Sequence, residues 1–195
     1  MKRLFLSILF ISLLLTSCTR DKTQSIKNKF KKSYEQYNGY ITEVEMITTI
    51  DEKESFYNIK ESYYAGEEKY TIEIIEPIET NGVIIQYQGD KILIKHASID
   101  EYISLKTNEG INRSLLIGEI FKNLDNIHKI KEEKLDGESY YIFYVDVKEK
   151  NQYTEEIELW LKKKDFKPYM LNILDKDNNS RAIYKYKNFE YIENQ

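Results

Sequence analysis

Cysteine and histidine, the side chains that most often act as nucleophiles and metal ligands, are scarce in this chain of 195 residues: there are one cysteine and two histidines. His96 and His128 lie far apart, and neither belongs to an HExxH or H-x3-H arrangement. A lone histidine near a strand end usually packs or faces solvent. GxSxG, glycine-rich phosphate-binding and Ser-x-x-Lys motifs are also absent, so the sequence predicts no catalytic residue, no metal site and no cofactor.

The segment Asp-Lys-Asp-Asn-Asn at 175–179 offers side-chain oxygens at the first, third and fifth positions of a calcium-binding loop. The pattern then departs from such a loop, because Ser180 stands where glycine makes the sharp turn and Tyr186 where glutamate closes the site. Asp and Asn are also expected at the tip of a hairpin, since they bond to the nearby backbone. The segment therefore predicts a turn, with calcium binding as the alternative.

Carboxylates are concentrated at Glu155, Glu156 and Glu158. Two carboxylates can share acid–base catalysis only when they face each other across a cleft at a defined separation. In a strand, Glu156 and Glu158 lie on one face, which predicts a solvated surface. Because the sequence contains no catalytic constellation, we expect a protein that is not an enzyme.

Cys18 is the residue to which the sequence assigns a definite chemistry. Lys2-Arg3 precede an apolar run from Leu4 to Leu15, which is shorter than the ~20 residues that span a bilayer and is typical of an export signal. In bacterial lipoprotein signals the cysteine that ends such a run is acylated on its thiol, and the signal is cleaved before it. The run here ends in a segment that resembles this lipobox: Leu15, Thr16, Ser17 and Cys18.

We therefore expect a signal peptide at 1–17, a lipidated tether at 18–24 and one domain at 25–195. Acyl chains would hold that domain at the extracytoplasmic face of a membrane. Removal of the signal leaves 27 basic residues against 33 acidic ones, a net charge of −6. An acidic surface argues against a nucleic acid as partner.

An amphipathic helix is predicted at the start of the domain, because apolar side chains recur at helical spacing: Ile26, Phe30, Tyr34 and Tyr37. Asn38-Gly39 are expected to end it, with glycine just past the last turn. A helical insert is predicted near 113–124, where Ile117, Ile120, Phe121 and Leu124 form a stripe after a cap at Asn112 or Ser114.

The remaining segments alternate apolar and polar residues in runs about ten positions apart, which is typical of an antiparallel meander. We count about ten strands and expect an α+β fold: a strongly curved antiparallel sheet with helices against its concave face. The 17 tyrosines could form an interaction surface or fill the core of the sheet. Four large side chains could fill the interior of the curved sheet: Tyr70, Tyr87, Phe143 and Trp160.

Four segments resemble, in the same order, the LolA/LolB-like lipoprotein-carrier superfamily: YNGYITEVEMI, ESYYAGEEKYTIEIIEP, GVIIQYQGDKILI and the block ELWLKKKDFKPYMLNILDKDNNSRAIYKYKNFEYIEN. The C-terminal block is the most specific, although 164–168 (KDFKP) keeps the proline and loses the usual small turn residues. The resemblance implies a half-open β-barrel with helices over its mouth and an apolar interior. It also implies a carrier or binding module for lipid or lipoprotein.

Within that superfamily, length and composition are most similar to the clostridial spore germination lipoproteins of the GerS type. That resemblance implies binding and activation of a CwlD-like cell-wall amidase, which makes muramic-δ-lactam in spore cortex. Exposed sheet edges would also permit a homodimer by strand exchange. The sequence does not indicate which face binds a partner.

Overall fold

The computed structural model describes residues 22–89, 91–106 and 115–194. The chain divides into two compact units, residues 1–35 and 36–195. In the first unit, residues 22–34 form helix α1. The rings of Phe30 and Tyr34 stack at 6.0 Å between centroids, as expected for side chains four residues apart on one helix face.

The second unit contains eleven described strands and a short helix, α2. The strands are β1 (Tyr37–Ile50), β2 (Lys53–Tyr64), β3 (Lys69–Glu76), β4 (Val83–Gln88), β5 (Lys91–His96), β6 (Tyr102–Lys106), β7 (Ile127–Leu135), β8 (Glu138–Asn151), β9 (Thr154–Lys162), β10 (Pro168–Leu174) and β11 (Ser180–Glu193). Helix α2 spans Ile117–Lys122, between β6 and β7.

All eleven strands belong to one antiparallel sheet with the order β6-β5-β4-β3-β2-β1-β11-β10-β9-β8-β7. Among the described strands, β6 and β7 do not pair with each other, so the curved sheet stays open. The α+β prediction is confirmed. The described residues contain eleven strands, one more than were counted in the sequence, and the additional strand is β6.

Two hairpins use two-residue turns whose backbone twist suits adjoining strands. Asp51 and Glu52 between β1 and β2 have φ angles of 48° and 62°, and Asp136 and Gly137 between β7 and β8 have 51° and 82°. Positive φ at both central positions marks the turn type that continues the right-handed twist of the strands. These turns fix the register of both hairpins.

The prediction that Asn38-Gly39 end the first helix was wrong. Helix α1 ends at residue 34, Tyr37 opens β1, and Gly39 lies inside that strand, opposite Tyr64 of β2. Gly39 has a φ of 150°, and a Cβ atom there would lie 1.9 Å from the backbone oxygen of Tyr63. Glycine is required because the neighbouring strand approaches so closely.

A row of four tyrosines crosses the inner face of the sheet: Tyr40, Tyr63, Tyr70 and Tyr87 are register partners on β1 to β4. All four are buried, and the rings of Tyr63 and Tyr70 stack at 4.3 Å. Cross-strand aromatic pairs of this kind stabilise a sheet by about 0.2–1 kcal/mol each. These tyrosines therefore fill the core.

Phe143 also lies in the core, but the expectation for Trp160 was wrong. Leu159 and Leu161 are buried on the inner face, so Trp160 between them lies on the outer face. There its ring meets Tyr140 edge-on at 5.9 Å. The alternation of β9 therefore decides the direction of Trp160, whatever its size.

Helix α2 is shorter than predicted and contacts the tyrosine row. Leu124 lies in a separate 3-10 turn, Leu124–Asn126, and the cap candidates Asn112 and Ser114 lie outside the described residues. The Tyr70 hydroxyl donates to Oε1 of Glu119 at 3.1 Å. A Cβ atom on Gly118 would lie 2.5 Å from that hydroxyl, so glycine lets the helix backbone approach the ring.

Candidate binding cavity

The predicted lipidation site lies outside the described residues: Leu15, Thr16, Ser17 and Cys18. The predicted signal peptide and the first part of the predicted tether lie there too. In the part of the chain that the structure describes, no helix is both long and apolar enough to cross a membrane. Lipid attachment at Cys18 stays a prediction.

The two histidines lie apart, and each has ordinary surface contacts. His96 contacts the Ser98 hydroxyl at 2.7 Å and the Asn81 carbonyl at 2.9 Å. His128 lies 3.2 Å from a Glu156 oxygen. Within residues 22–89, 91–106 and 115–194, no three His, Cys, Asp or Glu side chains are placed to share a metal ion.

Asp175 organises a turn, as its segment predicted. Its carboxylate accepts hydrogen bonds from the backbone N–H of Asp177 at 2.9 Å, the backbone N–H of Asn179 at 2.8 Å and Nε of Arg181 at 2.7 Å. Burial acts to raise the pKa of this carboxyl, but the bonds from Asn179 and Arg181 outweigh it and lower the pKa to about 2. These donors occupy the oxygens that a calcium ion would need.

We expect the replacement Asp175→Asn to lower the melting temperature at neutral pH and to have little effect near pH 2. A carboxyl whose pKa falls on folding stabilises the protein above its unfolded value of 3.8, and this stabilisation is lost as the pH falls towards 2. Thermal scans from about pH 7 to pH 2 measure the difference. The exposed Asp177, replaced in the same way, is the control; an equal effect from Asp177→Asn would contradict this role.

A cavity of about 440 Å³ lies on the inner face of the second unit. Its volume is within the range of roughly 300–1,000 Å³ typical of small-molecule sites. Half of the residues in its wall are aliphatic, from strands β1 to β4 and the residues before α2: Met46, Ile59, Ile72, Ile74, Ile85, Leu115 and Leu116. Asn151 and Thr154, beside the β8–β9 turn, add polar groups. The wall is suited to an apolar ligand.

Glu61 places a carboxyl in this apolar wall. It lies on β2 between Ile59 and Tyr63, its side chain is 3% exposed, and the Tyr40 hydroxyl donates a hydrogen bond to Oε1. Burial raises the pKa of Glu61 to about 7, and the bond from Tyr40 acts in the opposite direction. Glu61 is thus an interior acid that titrates near neutral pH.

Sequence reasoning missed Glu61, although a signal was present. The strand through Ile59 and Tyr63 was recognised, and alternation places residue 61 on the same inner face. An acid at an inward position of an otherwise apolar face is costly to bury, which marks it as a candidate for function.

Four tyrosines complete the wall of the cavity: Tyr57, Tyr87, Tyr184 and Tyr186. Burial and the nearby Glu61 raise the pKa of Tyr184 to about 12 and that of Tyr186 well above its ordinary value. These hydroxyls therefore stay neutral at physiological pH. The site can bind a ligand through apolar contact, aromatic faces and one carboxyl.

Comparison with known families gives one match along nearly the whole chain. A family model described as YdcC, sporulation protein YdcC-like, matches residues 1–194. No curated protein matches the chain in sequence.

Solved structures share the fold. A chain in the structure of the CwlD amidase from Clostridioides difficile in complex with the GerS lipoprotein is 27% identical, with 86% of this chain and 95% of that chain covered and a TM-score of 0.52. An uncharacterised conserved protein from Thermus thermophilus is 12% identical, with 89% and 90% covered and a TM-score of 0.59. A putative outer membrane lipoprotein-sorting protein domain from Vibrio parahaemolyticus is 12% identical, with 88% and 92% covered and a TM-score of 0.51. The LolA-like fold predicted by resemblance is confirmed.

Proposed function

Because this chain belongs to the family of YdcC-like sporulation proteins, we propose that it is a membrane-tethered lipoprotein that binds and activates a CwlD-type cell-wall amidase during sporulation. The observation that carries the proposal is the 27% identity, over 86% of the chain, to a chain in the complex of the CwlD amidase with the GerS lipoprotein. The amidase would supply the catalytic metal and form muramic-δ-lactam in the spore cortex. This chain would supply a binding surface.

The open edges of the sheet support a role in protein association. No described strand pairs with the outer side of β6, where Tyr102 and Ile103 are 62% and 64% exposed. Edge strands offer unpaired N–H and C=O groups to a strand from another chain. The same edge would serve a homodimer formed by strand exchange.

The amidase proposal is tested by co-expressing the full chain, tagged at its C-terminus, with the CwlD-type amidase of the same genome. We expect the two proteins to co-purify and the spores of a deletion strain to lack muramic-δ-lactam, measured by mass spectrometry of digested cortex. An untagged chain controls for non-specific retention. The proposal would be wrong if the two proteins did not co-purify and the spores of the deletion strain contained a normal amount of muramic-δ-lactam.

Anchoring by lipid at Cys18 predicts that Cys18→Ala abolishes acylation. A thiol is required for the thioether, so the variant is expected to incorporate no radiolabelled palmitate and to be either unprocessed or released from the membrane. Ser17→Ala, which keeps a small residue before the cysteine, is the matched control. Palmitate labelling of the Cys18→Ala protein at the normal level would refute lipidation at this residue.

The cavity favours a second candidate function, a carrier or binding module for lipid. Its volume of about 440 Å³ and its aliphatic wall suit an apolar ligand. This function predicts a lipid that remains bound during native mass spectrometry. The amidase function does not require one.

A further inference from the structure

Glu61 is a buried acid in the wall of the cavity. In the part of the chain that the structure describes, its carboxyl forms no ion pair, and its hydrogen-bond partner is the Tyr40 hydroxyl. A buried carboxylate is normally paired with a positive group, because leaving water is costly for an isolated charge. Its side chain is part of the wall of the cavity, so a group in the cavity can reach it.

The surroundings of Glu61 suit a positive group better than a negative or a neutral one. Among the described residues, no lysine, arginine or histidine lies in the cavity wall, while four tyrosines do: Tyr57, Tyr87, Tyr184 and Tyr186. Aromatic faces attract cations, and aromatic cages bind quaternary ammonium groups. Apart from Asn151 and Thr154, the rest of the wall is aliphatic and fits an alkyl chain.

We propose that the cavity binds an organic ammonium ion with an apolar tail, whose positive head pairs with Glu61 among the tyrosines. The tail lies against the aliphatic wall formed by residues such as Ile72 and Ile85. The inference does not depend on amidase activation, so either can fail without the other. It assigns the cavity a charge preference that an apolar wall alone would not give.

Proton release should accompany binding. The carboxyl has a pKa of about 7, and an ammonium head stabilises only its ionised form. Three tyrosines interact with Glu61 electrostatically: Tyr40, Tyr184 and Tyr186. Burial raises the pKa of each, so these hydroxyls stay neutral at the pH values used. Tyr87 also lies in the cavity wall. On α2, the Glu119 carboxylate bonds to Tyr70, and Lys122 lies 3.6 Å from that carboxylate.

The test is calorimetric titration of the full chain with octyltrimethylammonium at about pH 8.5 and about pH 5.5. We expect binding at the higher pH to be at least about tenfold tighter, because Glu61 is ionised there, with net proton release near neutral pH. Neutral 1-octanol, which has the same tail, is expected to bind more weakly at pH 8.5 and without pH dependence.

Glu61→Gln should lower the affinity for octyltrimethylammonium at pH 8.5 at least about tenfold and leave that for 1-octanol unchanged. Retained octanol binding shows that the variant is folded. Glu73→Gln is the matched control, since Glu73 lies on the outer face of the neighbouring strand β3. Equal ammonium affinity in Glu61→Gln and the native chain, or no ammonium binding at pH 8.5, would overturn the proposal.

Discussion

Replacing Glu61 by glutamine is expected to remove a pH-dependent loss of stability from the protein. Between about pH 5 and pH 8.5, ionisation of Glu61 should lower the free energy of unfolding of the native chain by about 2–3 kcal/mol, a decrease that the variant should not show. Folding raises the pKa of this carboxyl from 4.5 to about 7, so the folded state binds a proton that the unfolded state releases. The stability that Glu61 contributes is therefore complete below about pH 4.5 and is lost as the pH rises through 7. Glutamine cannot ionise and still offers a carbonyl oxygen to Tyr40.

Urea unfolding at the two pH values measures this effect as a difference between the native chain and the variant. The comparison removes the contribution of Asp175, whose pKa of about 2 affects stability only at lower pH. Glu73→Gln should retain the native pH dependence, because that side chain lies on the outer face of β3. If Glu61→Gln kept the pH dependence of stability of the native chain, Glu61 would not be the group that causes this dependence.

Alternation along the strands predicted most of the sheet but could not predict β6. Strands such as β3 show apolar residues at every second position, and the structure buries or half-buries that face. In β6, the five residues Tyr102–Lys106 lie at an edge and are largely exposed. Selection for a buried face is weak there, so the period-two signal is short and easily missed.

The site was harder to predict than the fold, because its interactions join residues distant in sequence. A pattern assigns Glu61 to a face, but only the register of β1 against β2 places Tyr40 within hydrogen-bonding distance of it. The Asn38-Gly39 pair was assigned by local rules to a helix end. The approach of Tyr63 that requires Gly39 is a tertiary contact and leaves no local signal.

Gly39→Ala is expected to destabilise the protein by roughly 3 kcal/mol, which is roughly 6–12 °C in melting temperature for a unit of this size. The added Cβ would lie 1.9 Å from the backbone oxygen of Tyr63. Because that backbone belongs to a paired strand, it cannot move away without a cost in free energy. Gly39 pairs with Ile192 of β11 on one side and with Tyr64 of β2 on the other, so the strand is held on both sides.

Two other glycines separate the steric cost from the cost of backbone conformation. Gly137 has a φ of 82° with no heavy atom within 4 Å of an added Cβ, so Gly137→Ala measures conformational strain alone, about 1–2 kcal/mol. Gly66 has no positive φ and its nearest neighbour is 3.6 Å away, so Gly66→Ala should change stability by less than about 0.5 kcal/mol. Thermal unfolding of the three variants should therefore rank Gly39→Ala as the least stable. Since Gly39 precedes Tyr40, the same substitution should also disturb the Tyr40–Glu61 bond and change the pH dependence, which Gly137→Ala should leave intact.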